Sequence, residues 1–387
     1  MTEIALSAGE SIVGDRLAVA PPRKLIWRRF RRHKLAVASL ALLAVMYVVA
    51  AFAEFVAPYD PNRNLFSSEL EHNQAALFVP PQLPTFRDGD GDFTLWPHSP
   101  GAIQHQNPDT LRITYTRDGS AGTPISLFVR GHEYELFGLF TTDIHLFGID
   151  EQEHPDKFYA PLGTDRLGRD MFSRMVHGAR ISLSIGMVAV AASLLLGVVL
   201  GGISGYHGGR IDGVIQRVIE VLRSIPSIPL WMGLTAALPP GMSQVRRYFL
   251  ITLILSLHGW TQLAREVRGR VLTLRDEDFV LAARFSGAST RRIILRHITP
   301  SLTSHIIASL TLAIPVIILA ETALSFLGLG LQTPVISWGV LIQEAQNIRT
   351  VALAPWLLLP GLAVVVAVLA FNFLGDGLRD AADPYAR

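Results

Sequence analysis

The chain opens on a polar lead, and its first long apolar run is LAVASLALLAVMYVVAAFAEFVA, residues 35–57. As a helix that run reaches roughly 34 Å, enough to cross the hydrocarbon core of a bilayer. Residues 58–160 contain no run of that length. They hold short strand-like stretches at 110–117, 123–130 and 133–140, separated by DGSAG and by Gly131-His132, which are turn chemistry. Beyond them the apolar pattern returns, with spans predicted near 181–206, 214–238, 248–264, 300–327 and 354–375. The third span carries Arg217, Glu220 and Arg223 in its first turns, which must then face protein or the membrane interface. Six predicted spans put both termini on one side.

Charge orients this pattern. Residues 23–34 hold seven Arg and Lys, which places the N-terminus in the cytoplasm by the positive-inside bias. Residues 58–160 carry 15 acidic against 6 basic residues, as an external segment should. Residues 265–299, between the fourth and fifth spans, carry eight Arg against four acids and fall on the cytoplasmic side. One cluster runs the other way: Arg166, Arg169, Arg174 and Arg180 precede the second span externally, and Asp165 and Asp170 offset only part of it. The expected architecture is an all-α integral membrane protein of six transmembrane helices, N-in and C-in, with a small, mostly-β external insert between helices 1 and 2. Its parts are a cytoplasmic segment 1–34, a first helix 35–57, the insert 58–160, and a transmembrane domain 161–387 that contains the cytoplasmic loop 265–299.

Composition agrees and narrows the function. Of 387 residues 50% are hydrophobic and only 17% charged, with a mean hydropathy of +0.35, whereas soluble domains are about a quarter charged. There is no cysteine, hence no disulfide or thiolate site. The three lysines, Lys24, Lys34 and Lys157, never follow a glycine, so the phosphate loop ending in Gly-Lys-Ser/Thr cannot form. No cofactor is expected on this chain. Asp88 to Asp92 imitates the start of a calcium loop, but Phe93 and Ser99 stand where Gly and Glu are needed. His132-Glu133 lacks the second His of a zinc-protease helix, and no metal site is expected. Membrane lipid, rather than nucleic acid, suits the basic N-terminus.

Several positions carry candidate chemistry. The loop EDFVLAARFSGASTRRIILRHITPSL, 277–302, predicts a short helix over 277–285 ended by a left-handed Gly287. A second short helix would follow, capped by Ser289 with an apolar face of Ile293, Ile294 and Ile298. Such a helix–Gly–helix hairpin makes a stiff knob, or an ordinary basic loop. In the second span Ser193, Gly197, Gly201 and Gly205 recur every four residues, a ridge for close helix packing. Pro226 and Pro229 in the third span, and Pro315 in the fifth, predict kinks or bends along a pathway. Glu321, with Ser325 one turn on, is the intramembrane carboxylate, a gate candidate or a backbone cap.

Longer motifs add a resemblance. Leu281-Ala282-Ala283-Arg284-Phe285-Ser286-Gly287-Ala288-Ser289, with Arg292-Ile293 and His297-Ile298-Thr299-Pro300, resembles the EAA loop of ABC importer permeases. LGTDRLGRDMFSR (162–174), GARISL (178–183), GYHGGRID (205–212), ALSFLGLG (323–330), SWG (337–339) and NFLGDGLRDAADP (372–384) follow in one order. Together they resemble the second, C-type permease subunit of dipeptide/oligopeptide and nickel importers. The chain departs from that family at Leu281, where the Glu that names the loop is expected; Asp278 is the carboxylate nearest to replace it. The resemblance implies a permease forming half of a translocation pathway for peptides or similar small solutes, in the inner membrane. Its implied partners are a homologous second permease, an external substrate-binding protein and two ABC ATPases that hold the ATP and magnesium. Asp278, Ala282, Ala283, Arg284, Gly287, Ala288 and Arg292 would meet the ATPase, and the insert would lie beside the binding protein. The rival reading, an ion-coupled secondary transporter, needs paired membrane carboxylates and inverted repeats, neither of which is evident.

Overall fold

A computed structural model describes residues 22–65, 77–88, 92–106, 113–155, 157–239 and 241–382. The calcium-like stretch falls largely on 89–91, outside the described residues. The basic segment forms α1 (Pro22–Phe30), and α2 (Lys34–Ala51) follows it. Nδ1 of His33 accepts the Ala36 amide at 3.1 Å and so caps α2. Ala36, Ser39, Leu43 and Ala50 bury one face of α2, while Val45 and Val48 stay exposed on the other. The short α3 (Ala53–Val56) ends the segment.

The insert contains two antiparallel sheets. β1 (Thr85–Arg87), β2 (Phe93–Gln106) and β3 (Ile113–Pro124) form one in sequential order, and β4 (Ser126–Leu136) pairs with β5 (Phe140–Gly148) in the other. The next helix, α4 (Met171–His207), has 37 residues and opens on Asp170, whose carboxylate accepts the Ser173 amide at 2.7 Å. α5 (Gly209–Ser224) and α6 (Ser227–Ala236) come next, then α7 (Gln244–Leu274), α8 (Asp278–Phe285) and α9 (Thr290–Arg292). A π-helical stretch, Ile293–Ile298, leads into α10 (Thr299–Phe326). The chain ends with α11 (Trp338–Gln343), α12 (Ile348–Leu353) and α13 (Leu359–Ala382).

Among the described residues four helical stretches are long and apolar enough to cross a membrane: Lys34–Ala51, Met171–His207, Ile306–Phe326 and Pro355–Ala382. The predicted third span, 214–238, is not one helix. Ile225 is extended, with φ −89° and ψ 127°, and separates α5 from α6. The cause is local, because the ring of Pro226 clashes with a helical conformation at the residue before it. Pro229 kinks nothing. It sits in the first turn of α6, where its missing amide hydrogen has no partner to lose. Pro315 does lie inside α10.

The small-residue ridge of α4 faces α7. A β-carbon on Gly201 would lie 2.5 Å from the Ala264 carbonyl oxygen, and one on Gly197 would lie 2.9 Å from the Leu263 side chain. At Gly205 it would lie 2.8 Å from the Arg268 carbonyl, and the Ser193 hydroxyl donates to the Ser256 carbonyl at 3.2 Å. The two helices are therefore in close contact over more than three turns, the arrangement that makes packing between apolar helices specific.

Candidate functional site

The loop between α7 and α10 is built by its caps. The Gly287 amide donates to the Arg284 carbonyl at 3.0 Å and the Ala288 amide to the Ala283 carbonyl at 3.1 Å. That pair of bonds is the Schellman closure, and it needs the left-handed φ of +75° that Gly287 supplies. The Ser289 hydroxyl then accepts the Arg292 amide at 3.4 Å and starts the next helix.

The loop has two faces. Val280, Ile293, Ile294 and Ile298 are buried, and Ala283 and Ala288 pack beside them against Val267 and Val271 of α7. Asp278, Ala282, Arg284, Gly287 and Arg292 are exposed. The sequence motif groups all seven as one contact surface; the structure divides them, with Ala283 and Ala288 anchoring the knob from inside. It also adds Phe285. That ring is 88% exposed at the C-terminal end of α8.

The second short helix does not end before the fifth span. It passes through the π-helical turn into α10, and the Thr299 hydroxyl donates to the Ile294 carbonyl at 2.8 Å across that turn. Ile294 meets α4 as well, since a β-carbon on Gly202 would lie 2.7 Å from it. The second half of the loop is therefore joined to α10 by continuous helical backbone and to α4 by packing.

At the base of α7 the Asp212 carboxylate receives the Arg268 Nε and Nη2 at 2.6 Å each. This two-pronged, charge-assisted bond is joined by the Ser204 hydroxyl. It fixes the GYHGGRID segment to the helix that carries the knob.

α4, α6, α7, α10 and α13 line an open cavity of about 500 Å3, within the range of small-molecule sites. Its polar lining includes His258, Gln262, Glu266, Ser309 and Arg379. The Glu266 carboxylate accepts Gln262 Nε2 at 2.9 Å and the Ser309 hydroxyl at 2.8 Å, tying α7 to α10. No motif in the sequence announces these residues, because they come together only through packing. Pro226, Pro229, Glu321 and Ser325 do not line the cavity. Glu321 is wholly buried, and its Oε1 accepts the Ser325 and Ser337 hydroxyls at 2.8 Å each. Ser325 also accepts the Leu331 amide at 3.0 Å. The pair closes the ALSFLGLG turn and joins it to the start of α11, which is a tie and not a lining.

Three of the four arginines that run against the charge bias pair with carboxylates, one nearby and two distant in sequence. Arg169 Nε donates to Asp165 Oδ2 at 2.7 Å and Nη2 to Glu344 Oε1 at 3.0 Å. Arg174 Nη1 bonds the same Asp165 oxygen and lies 3.1 Å from Glu344 Oε1. Arg180 pairs with Glu54. Asp165 and Arg174 are almost fully buried, so this knot welds the start of α4 to the segment after α11.

Asp170 beside the knot titrates unusually. Burial pushes its carboxyl up to about 6, with the Ser173 bonds opposing and Asp165 adding to the rise. A carboxyl raised on folding is bound more tightly to its proton in the folded state, so its contribution is present below about pH 4 and lost as pH rises to 6. The loss over that window amounts to about 3 kcal/mol. Asp170→Asn is expected to remove this component. Thermal unfolding in detergent between pH 4 and 7 checks it: the difference between native and variant midpoints should change across the window and flatten above it.

Residues 197–387 match the family described as binding-protein-dependent transport system inner membrane component, and residues 22–81 match the N-terminal TM domain of oligopeptide transport permease C. The dipeptide transport system permease protein DppC of Bacillus subtilis (strain 168) is 42% identical over 241 residues, covering 62% of this chain and 73% of the relative. DppC of Lactococcus lactis subsp. cremoris (strain MG1363) is 32% identical over 363 residues, 93% of this chain and 90% of its own length. The chain belongs to the dipeptide/oligopeptide ABC permease family, in its C-type branch. Among solved structures, a chain of the inward-facing MetNI methionine ABC transporter covers 55% of this chain and 97% of its own, at TM-score 0.42 and 17% identity. By its family and its four long apolar helices, this permease is a mostly helical, multi-pass protein of the inner membrane. Transport is its family's activity.

Proposed function

We propose that this permease moves peptides or similar small solutes inward and that the segment Asp278–Ile298 couples it to separate ATPase subunits. The observation that carries the proposal is the knob itself: a capped helix with one buried face, an exposed aromatic, and unbroken helical backbone into α10. ATP would bring two ATPases together, the knob would follow its subunit, and α10 would shift against α7 around the cavity. The Glu266–Ser309 bond lies across that boundary, so the cavity would change shape as the two helices move. Peptide is the preferred substrate class because the relatives at 42% and 32% identity are named dipeptide permeases.

In this reading the chain crosses the membrane six times with both termini inside. α5 with α6, and α7, supply the two spans beyond the four long apolar helices. The insert is external, beside the docking surface of a substrate-binding protein. A homologous second permease and two ATPases complete the assembly, and this chain itself carries no ATP or magnesium.

Gly287→Leu tests the coupling. A side chain there meets open space within this chain, so the loss arises from the left-handed backbone, about 1–2 kcal/mol, and from the fit to the partner. ATPase stimulation and uptake in the reconstituted transporter are expected to fall together while assembly in the membrane persists. Normal coupling at normal assembly would sink the proposal.

A further inference from the structure

The β4–β5 hairpin ends in Leu136-Phe137-Gly138-Leu139-Phe140, and no charge occurs between Glu135 and Asp143. The Leu139 amide donates to the Leu136 carbonyl at 3.1 Å, and Phe137 and Gly138 both have positive φ, 55° and 67°. This is the two-residue turn whose first central position belongs to Asn, Asp or Gly. A bulky aromatic there is held at a conformational cost. Solubility does not explain the choice, since Phe137, Leu139 and Phe140 are 56%, 76% and 67% exposed.

The hairpin has a fixed direction. The Phe128 ring lies 6.2 Å from the Phe55 ring, and the Phe137 ring lies 5.3 Å from the Phe52 ring. The middle of β4 lies beside Pro58, whose carbonyl oxygen a β-carbon on Gly131 would approach to 3.8 Å, and the tip residue Phe137 returns to Phe52 at the end of α2. The tip therefore points down the first membrane helix instead of away from it. There it continues the outward apolar face of α2, where Val45, Val48 and Phe52 are exposed. Arg180 marks the polar boundary at the same level, donating to the Ala50 and Ala51 carbonyls at 2.9 and 3.0 Å and pairing with Glu54. His145, fully buried, clamps the other end of the hairpin: its Nδ1 lies 2.7 Å from the Ala57 carbonyl oxygen and its Nε2 3.1 Å from that of His132.

We propose that this tip is embedded in the lipid of the outer leaflet beside the first membrane helix, an apolar anchor for the insert. The inference rests on the reading that α2 spans the membrane with the insert outside. An uncharged, aromatic and aliphatic tip continuous with a lipid-facing helix suits the acyl–headgroup boundary. A soluble binding protein would approach from the opposite direction.

The chain has no cysteine, so single nitroxide labels can be placed at Leu139→Cys, Phe140→Cys, Val45→Cys and Glu133→Cys. The full chain, reconstituted in nanodiscs of phosphatidylethanolamine and phosphatidylglycerol, is read by its collision rates with oxygen and with a neutral nickel chelate. The expected result is a several-fold higher oxygen-to-nickel ratio at 139 and 140 than at 133, approaching that at 45. Labels at 139 and 140 as accessible to nickel as the label at 133, with 45 still dry, would overturn the anchor and leave the membrane assignment of α2 standing. A wet label at 45 would instead bring down the assignment on which the anchor rests. Protection at 139 that needs added substrate-binding protein would assign the tip to protein and overturn the lipid anchor equally.

Discussion

Phe285→Ala is expected to leave the permease folded and in the membrane yet release the ATPase from it. The ring is 88% exposed and lies outside the buried clusters, so its removal takes little from the fold. In the assembled transporter it would fill a pocket on the ATPase, and aromatic residues that anchor an interface carry about 2 kcal/mol or more. At that value the dissociation constant rises roughly 30-fold. Retention of ATPase subunits through purification, together with uptake in proteoliposomes, reads the effect. Phe285→Tyr, which keeps the ring, should retain most of both. Unchanged retention and uptake in Phe285→Ala would show that the ring meets no partner.

The second large effect concerns the buried knot. Arg174 is 1% exposed and bonds Asp165, itself fully buried, and Glu344. Arg174→Met leaves two carboxylates facing the single guanidinium of Arg169. Breaking a buried ion pair from one side costs about 3–5 kcal/mol, because the remaining charge stays desolvated. The variant is expected to accumulate poorly in the membrane and to unfold at a clearly lower temperature in detergent. Arg174→Met with Asp165→Asn removes the stranded charge, and the pair should recover a substantial part of the loss. Equal midpoints for Arg174→Met and the native chain would contradict this picture of the knot.

Local features are legible in the sequence, and long-range ones are not. The Gly287 closure and the Ser289 cap depend on residues within a few positions of each other, so spacing alone announces them. The ridge of Ser193, Gly197, Gly201 and Gly205 is visible for the same reason, although its partner, α7, is not. Four long apolar helices follow from hydropathy. The break at Ile225 does not, because Pro226 reads as a kink within a span when its main effect falls on the residue before it. Continuity from α9 into α10 is equally hidden. Pro300 marks a helix start, but a proline in the first turn is compatible with helix arriving through a π turn. Glu344 stands 175 residues from Arg169, and no local pattern relates the two. Phe285 lies inside the loop motif, yet its exposure is a property of the folded loop. Its signal in the sequence is a large aromatic within an otherwise small-residue and basic segment.

The coupling proposal requires the knob Asp278–Ile298 to touch the ATPase and carry its movement. Ala282 is exposed on that knob, and Ala282→Cys introduces the only thiol in this chain. The decisive measurement is cross-linking from that thiol in the complete transporter in proteoliposomes, with uptake followed in the same samples. A permease–ATPase product is expected, with an arrest of ATP-driven uptake that reverses when the cross-link is cut. Full uptake in a transporter whose introduced thiol never links to an ATPase, under conditions in which a thiol on the ATPase links to another part of this chain, would contradict it.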